Sequence, residues 1–221
     1  MELIASETSL VVAGSWNAAI LTPTWMLRHG LDRPIGEASR VQVFLPAVQG
    51  AQFDFPRYAL DQFAYVVRPD ALLVTPNNEN PDSFDAAEGA SARVLRVLMH
   101  TPISGIGHNF EFRDAAPTPE QVAVFTASRQ DVVDQMPNGW DPAGVSVVST
   151  FKNAAETVHI NVQRQWDGGA VSVKFNFHHP ITNVEQAIAV LEGSNGYSRM
   201  AANLALATRL IESLYGNIRN D

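Results

Sequence analysis

Residues 144–179 have the clearest pattern in the chain: GVSVVSTFKNAAETVHINVQRQWDGGAVSVKFNFHH. Apolar and polar residues alternate through most of it, which indicates strands with one buried face and one wetter face. The predicted strands are Val145–Lys152, Thr157–Gln165 and Ala170–His178. Because short segments connect them, we predict a meander of three antiparallel strands.

The predicted turns set how these strands pair. Asp167 and Gly168 suit the two central positions of a tight hairpin turn. Ala154 and Ala155 would form the other turn, although alanine is a poor turn residue. The predicted pairs are Val162 with Val173, Ile160 with Phe175, Val158 with Phe177, Val147 with Val162, and Phe151 with Val158.

The rest of the chain predicts a repeat of this arrangement. Further strands are expected at Thr8–Ala13, Ser39–Leu45, Ala59–Val67, Ala71–Thr75 and Ile103–Arg113, and helices at Pro23–His29, Pro81–Met99, from Thr118-Pro119, Asn183–Leu191 and Tyr197–Tyr215. Both halves then have the order β-α-β-β-β-α, and both short helices begin with Thr-Pro. We predict an α+β fold in which a large antiparallel sheet has its helices on one face, built from two halves in pseudo-twofold duplication.

Length and composition are those of a globular protein. The chain has 221 residues, of which 46% are hydrophobic and 17% charged, and we expect one compact domain, 1–221, with internal halves 1–100 and 101–221. There is no cysteine, which excludes a disulfide framework, thiolate metal sites and a cysteine nucleophile. No catalytic or nucleotide-binding motif is present, so the chain is more consistent with a non-enzyme than with an enzyme.

The charge pattern limits the partners. The formal net charge is −8, and the 15 lysines and arginines are scattered rather than clustered. A nucleic-acid surface needs a basic stripe, so we expect no nucleic acid. No stretch approaches ~18 apolar residues and the first residues lack a basic region, so we expect no membrane span, no signal peptide and a cytoplasmic protein.

A segment in the middle of the chain has an unusual sequence, His100-Thr-Pro-Ile-Ser-Gly-Ile-Gly-His-Asn109. It is predicted to be either a binding loop that carries His100 and His108, or the start of a strand whose glycines allow close packing. The segment resembles an uncharacterised family of bacterial and phage-borne proteins that has an HTPI-x-x-x-G-x-N run. The further matching residues are Asn17, Ile20, Pro23 and Trp25, and the strand end Asn176-Phe-His178. The resemblance implies no activity.

The candidate binding surface comes from the meander and from two flanking segments. The residues on its wetter face are His159, Asn161, Lys174, Asn176 and His178, and the further candidates are His100, His108, Phe53 and Phe55. Phe53 and Phe55 alternate with polar residues before Pro56, a pattern typical of a sheet edge that pairs with another chain. No more than two histidines converge, so no catalytic, cofactor-binding or metal-ligating residues are predicted, and no cofactor.

Three functions remain open at this stage. The first is a non-enzymatic protein-interaction or chaperone-like module that self-associates as a homodimer. The predicted architecture is similar to that of the acidic export chaperone SecB, which is an analogy of fold. The second is a carrier of small apolar ligands, with a pocket lined by Phe175, Phe177, Tyr197 and Met200. The third is a histidine-dependent hydrolase.

Overall fold

The computed structural model describes residues 1–33, 40–45, 55–126, 132, 134–155 and 157–216. The strands are β1 (Glu2–Leu3), β2 (Ser9–Gly14), β3 (Gln42–Phe44), β4 (Arg57–Ala59), β5 (Phe63–Val67), β6 (Ala71–Pro76), β7 (Ile103–Asp114), β8 (Val145–Lys152), β9 (His159–Trp166) and β10 (Val171–Pro180). The helices are α1 (Pro23–Trp25), continued by a π-helical turn (Met26–Gly30), α2 (Pro81–Val97), α3 (Pro119–Thr126), α4 (Val184–Glu192) and α5 (Met200–Tyr215).

The ten strands of the described residues belong to one antiparallel sheet. Its order is β3-β4-β5-β6-β2-β7-β10-β9-β8, and β1 pairs with the far end of β7. The predicted α+β class and large antiparallel sheet are therefore confirmed. One prediction is wrong in detail, because Ala59–Val67 is not a single strand: the Leu60 N–H donates to the Phe63 carbonyl and closes a turn between β4 and β5.

The helices pack against one face of the sheet. Side chains at alternate positions of the strands, such as Leu10 and Val12 of β2 and Phe175 and Phe177 of β10, join buried residues of α2, α4 and α5 in one core. Phe175 and Phe177 are each 1% exposed. Every second strand residue faces this core, which is why the period-two pattern was visible in the sequence.

Side chains that cap the helices explain where these begin. Asn80 accepts a hydrogen bond from the Ser83 N–H at 2.8 Å before α2, and Asn183 accepts one from the Gln186 N–H at 2.8 Å before α4. Pro81 follows the first cap at a position that needs no donor. Gly193 ends α4 in the left-handed conformation, with φ of 65°.

The predicted pairing of the second hairpin is wrong by two residues. Val162 lies opposite Phe175, and Ile160 lies opposite Phe177, while Val173 faces Arg164. The central turn residues are Gly168 and Gly169, and Gly168 has φ of +90°. The Asp167 carboxylate accepts hydrogen bonds from the N–H groups of Gly169 and Ala170 at 3.1 and 2.7 Å. A shift of two residues keeps each side chain on its predicted face.

The first hairpin is displaced in the same way. Phe151 pairs with Ile160 rather than with Val158, and Val147 with Arg164 rather than with Val162. Asn153 organises the loop, because its side-chain oxygen accepts hydrogen bonds from the N–H groups of Thr157 and Val158 at 2.9 and 3.4 Å. This wider loop replaces the predicted two-residue turn at Ala154 and Ala155.

The predicted duplication is not confirmed. Two runs of four strands, β4-β5-β6-β2 and β8-β9-β10-β7, do meet at the β2–β7 pair. The first half carries the additional strand β3, however, and the second half has two helices after its last strand where the first half has only α2. Common descent of the halves therefore stays a prediction, and a structural superposition of one on the other would test it.

No helix in the described ranges combines the length and the apolar character that crossing a bilayer requires.

Removal of a core aromatic ring tests the one-sided core. Phe175→Ala is expected to lower the free energy of unfolding by about 3–5 kcal/mol, because it deletes a fully buried ring. Leu214→Ala on α5 is the control, since Leu214 is 52% exposed, and it should cost no more than about 0.5 kcal/mol. Urea denaturation measures both, and equal costs would contradict the assignment of the core.

Candidate functional site

Five of the predicted polar residues lie on the sheet face opposite the helices. Asn161 pairs directly with Asn176, and His159 pairs with His178. Lys174 lies on the same face, opposite Gln163 of β9 and Glu111 of β7. The structure therefore brings this part of the predicted surface together. We call the sheet face that these residues share the open face.

A row of hydrogen-bonded side chains crosses the open face over five neighbouring strands. Its members are Thr150 of β8, Asn161 of β9, Asn176 of β10, Asn109 of β7 and Ser9 of β2, and we call the row the amide ladder. The four bonds run from Thr150 Oγ1 to Asn161 Oδ1 (2.7 Å), from Asn161 Nδ2 to Asn176 Oδ1 (3.1 Å), from Asn176 Nδ2 to Asn109 Oδ1 (2.6 Å), and from Asn109 Nδ2 to Ser9 Oγ (3.2 Å). The direct cross-strand register places these side chains within reach of one another.

The ladder leaves hydrogen-bonding capacity that faces outward. Its three asparagines are half-buried, and each uses one of its two amide N–H groups along the row. The second N–H and the remaining lone pairs can bond to water or to the backbone of a partner. A shallow depression of about 330 Å³ lies over this part of the face.

Charged and imidazole groups flank the ladder on its two sides. On one side Lys174 Nζ lies 2.9 Å from Glu111 Oε2. On the other side the rings of His159 and His178 lie 6.1 Å apart. Burial and the neighbouring His159 lower the pKa of His178 below its usual value.

The two glycines of the unusual central segment explain how this surface is packed. From Ile103 onward the segment lies in β7, with both glycines and His108, so the strand interpretation is the one observed for this part. A Cβ on Gly105 would lie 2.6 Å from His178 Cε1, and one on Gly107 would lie 3.2 Å from Asn176 Nδ2. Glycine at both positions therefore lets the His178 ring and the Asn176 amide lie close over the backbone of β7.

The open face has a second, apolar part. Val66 of β5, Leu73 of β6 and Val11 of β2 lie directly opposite one another, and we call them the valine-leucine patch. All three are partly exposed. Their strand positions align with those of the open-face residues, and they are not part of the core that packs under the helices. Gly107 and His178 continue the same row, so the apolar and polar parts are contiguous.

His108 does not belong to this surface. It is 0% exposed and points to the helix-covered face, where its Nδ1 lies 2.8 Å from Asn203 Nδ2 of α5. Because an amide nitrogen can only donate, Nδ1 accepts and the ring proton lies on Nε2. Nε2 lies 3.7 Å from Glu88 Oε1 and has no hydrogen-bond partner among the described residues. Burial lowers the pKa of His108 to about 3.

Glu88 joins α2 to the start of α5. Its carboxylate accepts hydrogen bonds from the Met200 N–H and from Arg199 Nε, both at 2.9 Å, and is 0% exposed. Arg199 also pairs with Asp85 at 2.8 Å. Burial raises the pKa of Glu88 to about 7, although the Met200 N–H and Arg199 act in the opposite direction.

Sequence reasoning missed this buried cluster of Glu88, His108, Arg199 and Asn203. One signal was available: Glu88 lies four positions after Phe84 and next to Ala87, so helical spacing places it on the apolar face of α2. A carboxylate in such a stripe needs a partner. The partners, however, come from segments that are distant in the sequence.

The remaining predicted residues lie apart from the open-face cluster. His100 is exposed after the end of α2 and borders a groove with Trp16 and Met99. Phe55 is 38% exposed and precedes β4. Phe53 lies outside the described residues.

Three residues of the predicted ligand pocket, Phe175, Phe177 and Met200, are fully buried. The ring of Phe177 packs edge to face on Phe110, and that of Phe175 packs on Phe112, each with ring centroids 5.9 Å apart. The residues described here include no group of three or more histidine, aspartate or glutamate side chains that could hold a metal ion.

Comparisons with known proteins found no family model that matches the chain and no curated protein that matches its sequence. The resemblance through the HTPI segment therefore stays a prediction.

Interruption of the amide ladder is expected to cost stability. Asn176→Ala leaves Asn109 Oδ1 and Asn161 Nδ2 without their partner in a half-buried position, so the free energy of unfolding should fall by about 1–2 kcal/mol. Thr150→Val at the exposed end of the row is the control and should cost about 0.5 kcal/mol or less. Equal costs in urea denaturation would show that the ladder does not act as a row.

Glu88 and His108 are expected to affect the pH dependence of stability in opposite directions. The folded protein holds a proton on Glu88 more tightly than the unfolded chain does, so this group lowers the free energy of unfolding as pH rises from 4.5 to about 7. The folded protein holds a proton on His108 less tightly than the unfolded chain does. The His108 contribution therefore raises the free energy of unfolding as pH rises from about 3 to 6.5.

Two variants separate these contributions. Glu88→Gln should make stability rise more steeply with pH than in the wild type between pH 4.5 and 6.5, because only the histidine contribution remains. In His108→Gln only the Glu88 contribution remains, so the free energy of unfolding should fall, relative to the wild type, as pH rises through this window. Urea unfolding at several pH values in this window measures both slopes, and parallel curves would contradict the assignment.

Proposed function

We propose that the chain is a protein-binding, chaperone-like module that recognises polypeptide through the open face of its sheet and associates with itself. One observation carries the proposal. The helices pack on one face of a ten-stranded sheet, and the other face presents a partly exposed apolar patch beside an amide ladder.

The composition of the open face fits such a role. Protein interfaces combine an apolar centre with polar residues around it. Here the valine-leucine patch is the apolar part, and the ladder with Lys174 and Glu111 is the polar part. Outward-facing amide groups can bond to a bound backbone without selecting a side-chain sequence, which suits a partner that is recognised as polypeptide.

The net charge supports the same class of partner. A formal charge of −8 with no cluster of basic residues disfavours nucleic acid. The partner that complements the open face is a polypeptide that offers apolar side chains and free backbone groups. We propose a twofold homodimer as the self-associated form.

Binding of an unfolded polypeptide tests the role of the open face. A fluorescently labelled, permanently unfolded chain, such as reduced and carboxymethylated α-lactalbumin, should bind with a micromolar Kd by fluorescence anisotropy. Leu73→Lys places a charge in the centre of the valine-leucine patch and should weaken binding by about tenfold, which corresponds to about 1.4 kcal/mol.

A matched control uses the helix-covered side of the molecule. Leu214→Lys changes an exposed leucine of α5 in the same way and should leave the Kd unchanged. Circular dichroism confirms that both variants are folded. Absence of binding by the wild type, or equal weakening by both variants, would contradict the proposal.

A further inference from the structure

Strand β8 is an unprotected edge of the sheet. It runs from Val145 to Lys152 and, within the described part of the chain, pairs only with β9. Natural edge strands are usually protected by proline, by a bulge, by charged side chains or by being short. β8 has eight residues with no proline, pairs with β9 without a register shift, and carries a single charged residue, Lys152 at its end.

Two exposed apolar side chains lie along this edge. Val148 is 61% exposed and lies on the open face. Phe151 is 58% exposed and lies on the opposite face, in line with Ile160. Isolated exposed apolar residues are common, but here both occur on one edge strand, which has no second neighbouring strand among the described residues.

A groove of about 320 Å³ lies at the other end of the same strand. Val145 lines it together with Val132, Met136 and Trp140, which are 41%, 46% and 69% exposed. Val145 and Phe151 are six positions apart and therefore point to the same face of β8. One edge thus carries a projecting ring and an apolar groove at its two ends.

We propose that β8 pairs antiparallel with β8 of a second copy, about a twofold axis that passes through Val148. The cross-strand pairs are then Val148 with Val148, Val147 with Ser149, Ser146 with Thr150, and Val145 with Phe151. Each Phe151 enters the groove of the other copy beside Val145, and the two exposed Val148 side chains contact each other. This inference specifies the surface for the self-association in the proposed function and rests on that part of it.

The axis at Val148 follows from the geometry of an antiparallel ladder. Residues that lie directly opposite must face the same side of the sheet, so a twofold axis must pass through a residue rather than between two. An axis at Val147 or Ser149 would move Phe151 two positions away from Val145. With the axis at Val148, Lys152 falls opposite Gly144, so no like charges face each other.

The absence of cysteine from the chain allows a direct test by cross-linking. In the full-length Val148→Cys variant, the two thiols face each other on the axis at a distance that a disulfide can span. Mild oxidation should give a covalent dimer on a non-reducing gel. Phe44→Cys, on the opposite edge strand β3, is the matched control, since Phe44 is 53% exposed. No dimer at position 148, or equal cross-linking of the two variants, would overturn the inference.

Charge substitution at the axis gives an independent test in solution. Sedimentation velocity should show the wild type as a dimer with twice the 24.1 kDa of the chain. Val148→Lys and Val148→Glu should each weaken dimerisation at least tenfold, because like charges then meet on the axis. An equimolar mixture of these two variants should dimerise again, and Phe44→Lys should behave as the wild type.

The outcomes separate this inference from the role of the open face. A wild type that is monomeric, or a dimer that Phe44→Lys rather than Val148→Lys dissociates, overturns the β8 pairing. A mixture of the lysine and glutamate variants that stays monomeric overturns the axis at Val148. A monomeric wild type that binds the unfolded polypeptide would support the open-face proposal and overturn the β8 pairing. A β8 dimer that binds no unfolded polypeptide would support the β8 pairing and overturn the open-face proposal.

Discussion

β7 lies between β2 and β10 at the centre of the sheet, and its alternation assigns each of its residues to one of two faces. Phe110 and Phe112 point into the core under the helices, whereas Asn109 and Glu111 lie on the open face. Because the strands of the sheet share this period, a one-residue change of register at β7 would place amides in the core and phenyl rings in water. The core and the candidate surface thus depend on the same pairing.

The buried cluster has a different role in the structure. Glu88 of α2 accepts the first N–H of α5 and pairs with Arg199, so it sets where α5 begins relative to α2. The amino end of a helix favours a carboxylate, which offsets part of the cost of its burial. Buried ion pairs contribute little net stability, and in some proteins they select one arrangement over others. We interpret the cluster as the element that aligns the helical layer.

The open face and the β8 edge offer two kinds of contact. The open face combines the valine-leucine patch with the amide ladder and is broad and shallow. Within the described residues, β8 ends the sheet with one side unpaired by a strand, and it carries the exposed Phe151 ring and a groove. Because an edge and a face can be used at the same time, self-association through β8 would join two open faces across a continuous sheet. Such a dimer would present a wider surface to an extended polypeptide, and linked sites bind with greater avidity than single ones.

Period-two alternation was enough to predict the fold class and the face of each meander residue, because it survives a shift of two residues in pairing. It identified His159, Asn161, Lys174, Asn176 and His178 as one surface for the same reason. The exact pairs depend on the two loops, where the side chains of Asn153 and Asp167 accept hydrogen bonds from N–H groups three to four positions further along the chain, local turn chemistry that the alternation pattern does not contain. Only the tertiary structure decided that His108 is buried beside Glu88 and Asn203, because these residues meet only when segments distant in the chain pack together.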